Sequence, residues 1–474
     1  PEPAMSILSR LVVLFLSLPL WLAAPDSSAE VLDPAFDGDG LRVLDGALND
    51  FIPLGSCPLA NGSVAVVAFR AVGAQLAVIR LRADGALDTA FSGDGVNVLP
   101  AGAGLAPQWS STACAGVGNG DPFDDRMMVA ATAPGTYDLM VLALVDLNSG
   151  GFDANFYLGG PGYYDLGGMA FPPSNGARLY PRVHTRGVFP GANGEWLVVG
   201  QLDGNTQTGV PTGVVARVAS TGAIDAFVAP TLPGYASDDL VAARVGGDGD
   251  IRVFGNFRMS GGTGWGVMRV HGSTLAPVGM GATATPDGFW SRVYKGRQIG
   301  GGAMVVGGLV GDNSAFGSAA RLYVIRGDAV RTVFLPAAPA LGGSVAVGAT
   351  ADDNSVAATG ASGNRAVFAM GLRSMAQSQV GYYVASVQLG DGAGVPDSVE
   401  TAFGVAGAAS FTYPGTPGCS AGQFPAQYLS NIASWGLATT LVGTTAPTCG
   451  QAPSQPLVAR LDTDTARIFN NGFD

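Results

Sequence analysis

Nine side chains in this sequence have the types and positions that could bind or transform a ligand: Trp109, Tyr180, Arg182, His184, Asp238, Asp239, Trp290, Arg292 and Tyr428. Each falls in a segment that leads into a short apolar run. Aromatic faces beside arginine and aspartate suit a glycan, a peptide or a small polar molecule held in a concave site. Asp238, Asp239 and His184 could also serve as acid and base, provided folding brings them within hydrogen-bonding reach. The plainer alternative is that these residues close a channel or simply face water.

Most other chemistry is excluded by what the chain lacks. There is no CxxC, HExxH or GxxxxGK[ST] pattern. The two histidines, His184 and His271, are 87 positions apart, which excludes a histidine-rich metal site. No metal and no cofactor is expected. Gly418-Cys419-Ser420-Ala421-Gly422 matches the G-x-S-x-G elbow, but Pro414, Pro417 and Pro425 flank it where a strand and a helix are required. It reads as a surface loop. Asp37-Gly38-Asp39-Gly40 and Asp248-Gly249-Asp250 resemble pieces of calcium loops without the closing bidentate acid, so they read as turns.

The net charge of −12, a single lysine (Lys295) and the absence of any basic run make nucleic acid a poor partner. Residues 1–29 read as a leader. Met5 and Arg10 precede an apolar stretch from Leu11 to Leu22, and Ser27-Ser28-Ala29 is a small-residue cleavage site. That stretch is shorter than the roughly 20 residues a membrane helix needs, and no later span is expected. The protein is therefore expected to be secreted, periplasmic or at the cell surface. The four cysteines fit an oxidising compartment. Three pairings can be drawn. Cys57–Cys114 and Cys419–Cys449 are preferred, because the first two occupy similar places in neighbouring repeats and the last two share one repeat. Free buried thiols are the alternative.

The elements that would position these groups repeat along the chain. Leu32 to Leu44 returns at Leu87 to Leu99 with nine of thirteen residues identical, a recurrence that marks a chain built from one repeated unit. Each unit has an apolar run ending at a small residue: Val64–Phe69, Met127–Thr132, Trp196–Gly200, Ile251–Gly255, Met304–Gly307, Ser355–Gly360 and Leu437–Gly443. A second run follows each, as at Leu76–Leu81 and Leu457–Leu461. Runs this short, bounded by Gly, Asp and Asn, read as strands joined by Asp-Gly and Asn-Gly turns. The expected fold is all-β: a seven-bladed β-propeller of four-stranded antiparallel blades over residues 30–466. In the first full unit the strands are expected at Phe51–Cys57, Val64–Phe69, Leu76–Leu81 and Gly95–Leu99. An orphan strand at Leu41–Leu44 would complete the last blade, so the ring is closed by the N-terminal strand.

Arg80-Leu81-x-x-Asp84-Gly85 followed by Leu87-Asp88-x-x-Phe91-x-Gly93-Asp94-Gly95 resembles the delta-60 repeat of secreted bacterial proteins. Weaker copies are Phe152-Asp153-x-x-Phe156 and Ile224-Asp225-Ala226-Phe227, and units four to seven lose the signature. The resemblance covers about half the chain and implies a propeller-like protein outside the cytoplasm, with no general activity. Physically, Leu and Phe would pin the turn to the blade, Asp would accept backbone N–H groups, and glycines would permit the reversal. The last residues, 467–474, are similar to a Phe-x-x-Gly-Phe-acid ending of some exported proteins. They read either as a sorting tag or as a decayed repeat turn.

Together these features point to a secreted, non-catalytic β-propeller that binds or scaffolds at or outside the cell envelope, with a glycan, peptide or envelope protein as partner. The alternative is a propeller-type polysaccharide lyase or hydrolase with its site at the channel mouth. A passive structural component is the third reading.

Overall fold

A computed structural model describes residues 32–59, 62–70, 75–98, 111–116, 126–133, 139–152, 163–165, 183–202, 211–260, 262–284, 290–299, 303–311, 318–336, 354–358, 365–374, 379–391, 394–403, 406–411, 427–435, 438–445 and 455–462. The proposed leader, Cys419, Cys449 and the tail 467–474 lie outside these residues.

The described residues are almost entirely strand. β1 (Leu41–Val43) precedes a first sheet of β2 (Phe51–Pro58), β3 (Val64–Arg70), β4 (Gln75–Leu81) and β5 (Val96–Val98). The next comprises β6 (Ser111–Gly116), β7 (Arg126–Ala133), β8 (Leu139–Asp146) and β9 (Tyr163–Asp165). It is followed by β10 (Val183–Pro190), β11 (Trp196–Leu202), β12 (Thr212–Val218) and β13 (Ile224–Val228). A five-stranded sheet holds β14 (Thr231–Leu232), β15 (Tyr235–Val245), β16 (Ile251–Met259), β17 (Gly262–Val270) and β18 (Pro277–Ala284). Then come β19 (Trp290–Ile299), β20 (Ala303–Gly311), β21 (Ser318–Arg326) and β22 (Ala329–Phe334). In the following sheet β23 (Asn354–Ala358), β24 (Arg365–Ser374) and β25 (Gln379–Gln388) are joined by β26 (Ser398–Val399) and β27 (Ala408–Phe411), which both pair with β25. The last is β28 (Gln427–Trp435), β29 (Ala438–Thr445) and β30 (Gln455–Asp462), completed by β1 on the free edge of β30.

First long strands stand side by side: β2 on β6, then β10, β15, β19, β23, β28 and back to β2. The result is a propeller-like ring of antiparallel sheets. The regular seven-bladed propeller of four-stranded blades read from the sequence is corrected here. Strand number varies, because β14 adds a fifth strand on the inner edge of its sheet, and a turn at Glu400–Gly407 splits another fourth strand into β26 and β27. The run Ser355–Gly360 is also corrected. It supplies β23, a first strand, and the second strand of that sheet is β24, whose Gly371 faces Tyr382.

Both faces of each sheet are apolar, so each must be covered by a neighbour. β3 is buried over six successive residues, Val64 to Phe69. Among the described residues the core accordingly divides into six clusters. One of them runs through three sheets, with Phe189, Phe254 and Tyr323 in its interior.

The glycines ending the second-strand runs have a specific cause. First strands carry a register shift near their middle, at Pro53/Gly55, Thr185/Gly187, Leu240/Ala242, Val293/Gly296 and Leu429/Asn431. Such a bulge bends the first strand over its partner. A Cβ at Gly200 would strike the His184 carbonyl oxygen, and one at Gly255 would strike that of Asp239. Gly255→Ala should therefore cost about 1–3 kcal/mol through overpacking against backbone that cannot rotate away. Gly247→Ala, with nothing within 4 Å of its Cβ, should cost far less. Comparing urea midpoints of the two variants tests this.

The Leu-Asp-x-x-Phe turn behaves as its chemistry predicts. Phe36 and Phe91 are fully buried, Asp33 and Asp88 accept the Ala35 and Ala90 N–H groups at 3.0 and 3.2 Å, and Gly40 and Gly95 adopt φ of 83° and 86°. Arg80 of the preceding strand pairs with Asp88 at 3.0 Å and donates to the Leu147 carbonyl of the next sheet at 2.6 Å. Each turn is thus a clip between neighbouring sheets.

Candidate functional site

Two of the bulges in the first strands carry charged side chains on neighbouring sheets. Arg186 is the extra residue of the β10 bulge, and Asp238 is the extra residue of a second bulge in β15, between Ser237 and Asp239. Because β10 and β15 are neighbours in the ring, Arg186 reaches across, and its Nε donates to Asp239 Oδ1 at 3.2 Å and Oδ2 at 3.1 Å. Asp239 is only 3% exposed, so this ion pair is largely out of water. Ser237 holds the bulge from beneath, donating to the Gly213 and Pro230 carbonyls at 3.0 Å each.

Asp238 lies half-buried beside this pair. Its carboxylate accepts from Arg258 Nε, and its carbonyl accepts from Gln201 Nε2 at 3.2 Å. Arg258 in turn donates to the Pro211 carbonyl at 3.3 Å. Burial pushes the Asp238 carboxyl above its ordinary value, outweighing the attraction and hydrogen bond from Arg258, and the neighbouring charge of Asp239 pushes the same way. A carboxyl of this kind holds a proton more readily than a free aspartate. The site therefore combines an Asp239 clamped by Arg186 with an adjacent Asp238 whose carboxyl burial pushes up.

Of the nine residues expected at the mouth, His184, Asp238 and Asp239 lie on the described first strands β10 and β15. His184 is partly buried opposite Gln201. Trp290 and Arg292 occupy the start of β19, and Tyr428 the start of β28, opposite Gly311, Leu309 and Thr444 respectively. Trp109, Tyr180 and Arg182 lie outside the described residues. Among the described residues no group of His, Cys, Asp and Glu could hold a metal ion, and no helix is long and apolar enough to cross a membrane.

Sequence reasoning missed Arg186 and Arg258, the two cations that organise the site. A signal was present for Arg258, an arginine between Phe257 and Met259 in a chain poor in cations, whereas Arg186 follows the polar Thr185 and carries none. Cys57 and Cys114, one on β2 and one on β6, form the expected disulfide with Cα atoms 6.1 Å apart. Across the ring, Arg297 of β19 donates to the Cys114 carbonyl at 3.4 Å.

No protein-family model matches the chain, and no curated protein sequence matches it. Among solved structures it is similar to a protein of unknown function from Dyadobacter fermentans, at 10% identity over 70% of this chain and 95% of the other, with a TM-score of 0.42. It is also similar to a catalytically inactive virginiamycin B lyase from Staphylococcus aureus, at 12% identity over 88% and 98%, TM-score 0.41. A third is the β-propeller domain of the trilobed protease from Pyrococcus furiosus, at 8% identity over 87% and 94%, TM-score 0.40. These likenesses are distant ones, and no activity follows from them.

Proposed function

We propose that this chain is a secreted, propeller-like protein of the delta-60 repeat kind that works on a polar ligand, a glycan or a peptide, at the mouth marked by Asp238 and Asp239. Of the two functional readings, the lyase or hydrolase has the stronger physical support. The observation that carries it is the contrast between neighbouring carboxylates: Asp239 is clamped by Arg186, while burial raises the proton affinity of Asp238. Paired carboxyls in unlike environments are the usual starting point for dividing acid and base roles. Asp238 would donate the proton to a leaving oxygen, and Asp239 with Arg186 would orient the ligand. The disulfide between Cys57 and Cys114 supports an oxidising compartment outside the cytoplasm.

Binding without catalysis is the second reading, favoured by the fact that both carboxylates already have arginine partners. Turnover of cell-wall polysaccharides, followed as released reducing ends and as the ultraviolet absorbance of unsaturated products, separates the two. Asp238→Asn should lower kcat by about 100-fold or more with little change in KM. Binding without turnover would establish the second reading. Turnover unaffected by Asp238→Asn would remove the first.

A further inference from the structure

The residues around Asp239 continue outward as a row. Asp239, Asn256, Trp265 and Ala284 stand opposite one another across β15, β16, β17 and β18. Asn256 ties this row to the next sheet, accepting the Val293 N–H and donating to the Val293 carbonyl, both at 3.0 Å. The indole of Trp265, partly buried, lies with its centroid 5.0 Å from the Tyr323 ring of β21. Two residues before Tyr323, on the same face of that strand, is Arg321, directly opposite Phe334 on β22. The Arg321 guanidinium sits 4.4 Å from the centroid of the Phe334 ring.

Two features of this pair occur together, whereas the other rings stacked by arginines among the described residues, Phe36 and Phe51, are buried. Phe334 is 64% exposed, the most exposed large apolar side chain among the described residues. Arg321 makes one hydrogen bond, to the Ala320 carbonyl at 2.9 Å, and no carboxylate lies within ion-pairing distance of it among the described residues. In a chain of net charge −12, where arginines at the sheet seams are largely matched with acids, a cation left stacked on an exposed ring is unusual.

We infer that Arg321 and Phe334, with Trp265 on the facing sheet, form a binding surface for an acidic saccharide, a chain of uronate sugars. The stacked pair presents a cation and an apolar face as one unit. Its complement is a monomer that likewise carries a carboxylate and an apolar C–H face together, which a uronate does. An acidic peptide places those two properties on separate residues. The guanidinium can take a carboxylate in its two-pronged geometry while remaining against the ring. The inference names a ligand class for a surface outside the channel mouth, and it holds whether or not Asp238 transfers a proton.

Calorimetric titration of the full chain with a galacturonic acid trimer tests it, alongside a galactose trimer and a poly-glutamate peptide. The galacturonate trimer should bind and the other two should not, and binding should weaken with added salt. Arg321→Gln and Phe334→Ala should each weaken it by about tenfold, whereas Arg82→Gln, at an exposed ion pair after β4, should leave it unchanged. In the unaltered chain the galacturonate trimer should also protect Arg321 from phenylglyoxal, read by peptide mass, so the test does not depend on the variants folding. No galacturonate binding, equal or tighter binding of galactose or poly-glutamate, or an Arg321 that stays fully reactive under the ligand would each overturn the assignment. Loss of turnover in Asp238→Asn with binding intact bears only on the catalytic reading.

Discussion

Replacing Arg460 with leucine should destabilise the protein by about 3 kcal/mol or more, the largest effect expected of any single arginine. Arg460 lies on β30, is 4% exposed, and joins the end of the chain to its beginning. Its guanidinium donates to the carbonyls of Ala83, at 3.0 Å, and Gly62, both in the first sheet, and to Thr440 Oγ1 at 3.2 Å. The same group lies 5.2 Å from the centre of the Phe36 ring. Burial pulls the Arg460 pKa down, and the charge of Asp33 opposes that. Leucine would fill part of the volume but leave the part-buried Ala83 and Gly62 carbonyls and the buried Thr440 hydroxyl without the guanidinium, at a cost of about 1–3 kcal/mol for each group that water does not reach. Arg460→Lys keeps the charge but cannot span both carbonyls, so it should recover only part of the loss. Urea denaturation of the three proteins reads this directly. A loss below about 1 kcal/mol for the leucine variant would mean that the seam is held elsewhere.

The same clamp recurs around the ring, which explains why some of the architecture could be read from sequence. Arg80, Arg217 and Arg326 each sit on a third strand and donate to a carbonyl just after the third long strand of the following sheet: Leu147, Gly272 and Gly390, at 2.6, 2.6 and 2.8 Å. An Arg-Leu strand end and a Leu-Asp-x-x-Phe turn are therefore two halves of one contact, and both halves survive in the first two copies. The position of the closing strand was legible for the same reason. β1 pairs with β30 from Leu41–Ala459 to Val43–Leu457, and the Asp33 N–H donates to the Arg460 carbonyl as that of Asp88 does to Arg80.

Where the letters change but the physics does not, the pattern was lost. Val399-Glu400-Thr401-Ala402-Phe403 holds the same turn as Leu32 to Phe36. Phe403 is fully buried, its N–H donates to the Glu400 carbonyl at 2.9 Å, and the Gly407 N–H donates to the Phe403 carbonyl at 2.9 Å. Glu400 replaces aspartate and pairs with Arg365 of β24 and with Ser386, so the partner comes from a different strand. This turn is what divides β26 from β27, and the identity-based signature passes over it. Ser355–Gly360 was misplaced because its glycine kept the period of the second strands, while the chain had already shifted to a first strand. Of the candidate site, Asp238 and Asp239 stand out in the sequence as adjacent acids. Their partners Arg186 and Arg258 become visible only once a bulge and a strand pairing bring distant segments together.

Removal of the disulfide should have the largest effect after the Arg460 seam. Cys57 and Cys114 join the first strands of two neighbouring sheets and close a loop spanning 57 residues, for which the chain-entropy relation gives roughly 4 kcal/mol. Both are buried, at 0% and 3% exposed, so a Cys57→Ser, Cys114→Ser double variant would also place two hydroxyls among Leu59, Val67 and Val129. Cys57→Ala, Cys114→Ala avoids that second penalty and isolates the effect of the cross-link. The alanine pair should lower stability by about 2–4 kcal/mol, and the serine pair by more. The Cys114 carbonyl accepts from Arg297 across the ring, so loosening this strand should loosen the interior of the ring as well. Hydrogen exchange of β6 should then accelerate with that of β2, while exchange in β20 and β21, packed on the far side, should change little. Equal acceleration everywhere would show that the cross-link acts only on the unfolded chain. Acceleration confined to β2 and β6 would show that it also secures the native junction between these two sheets.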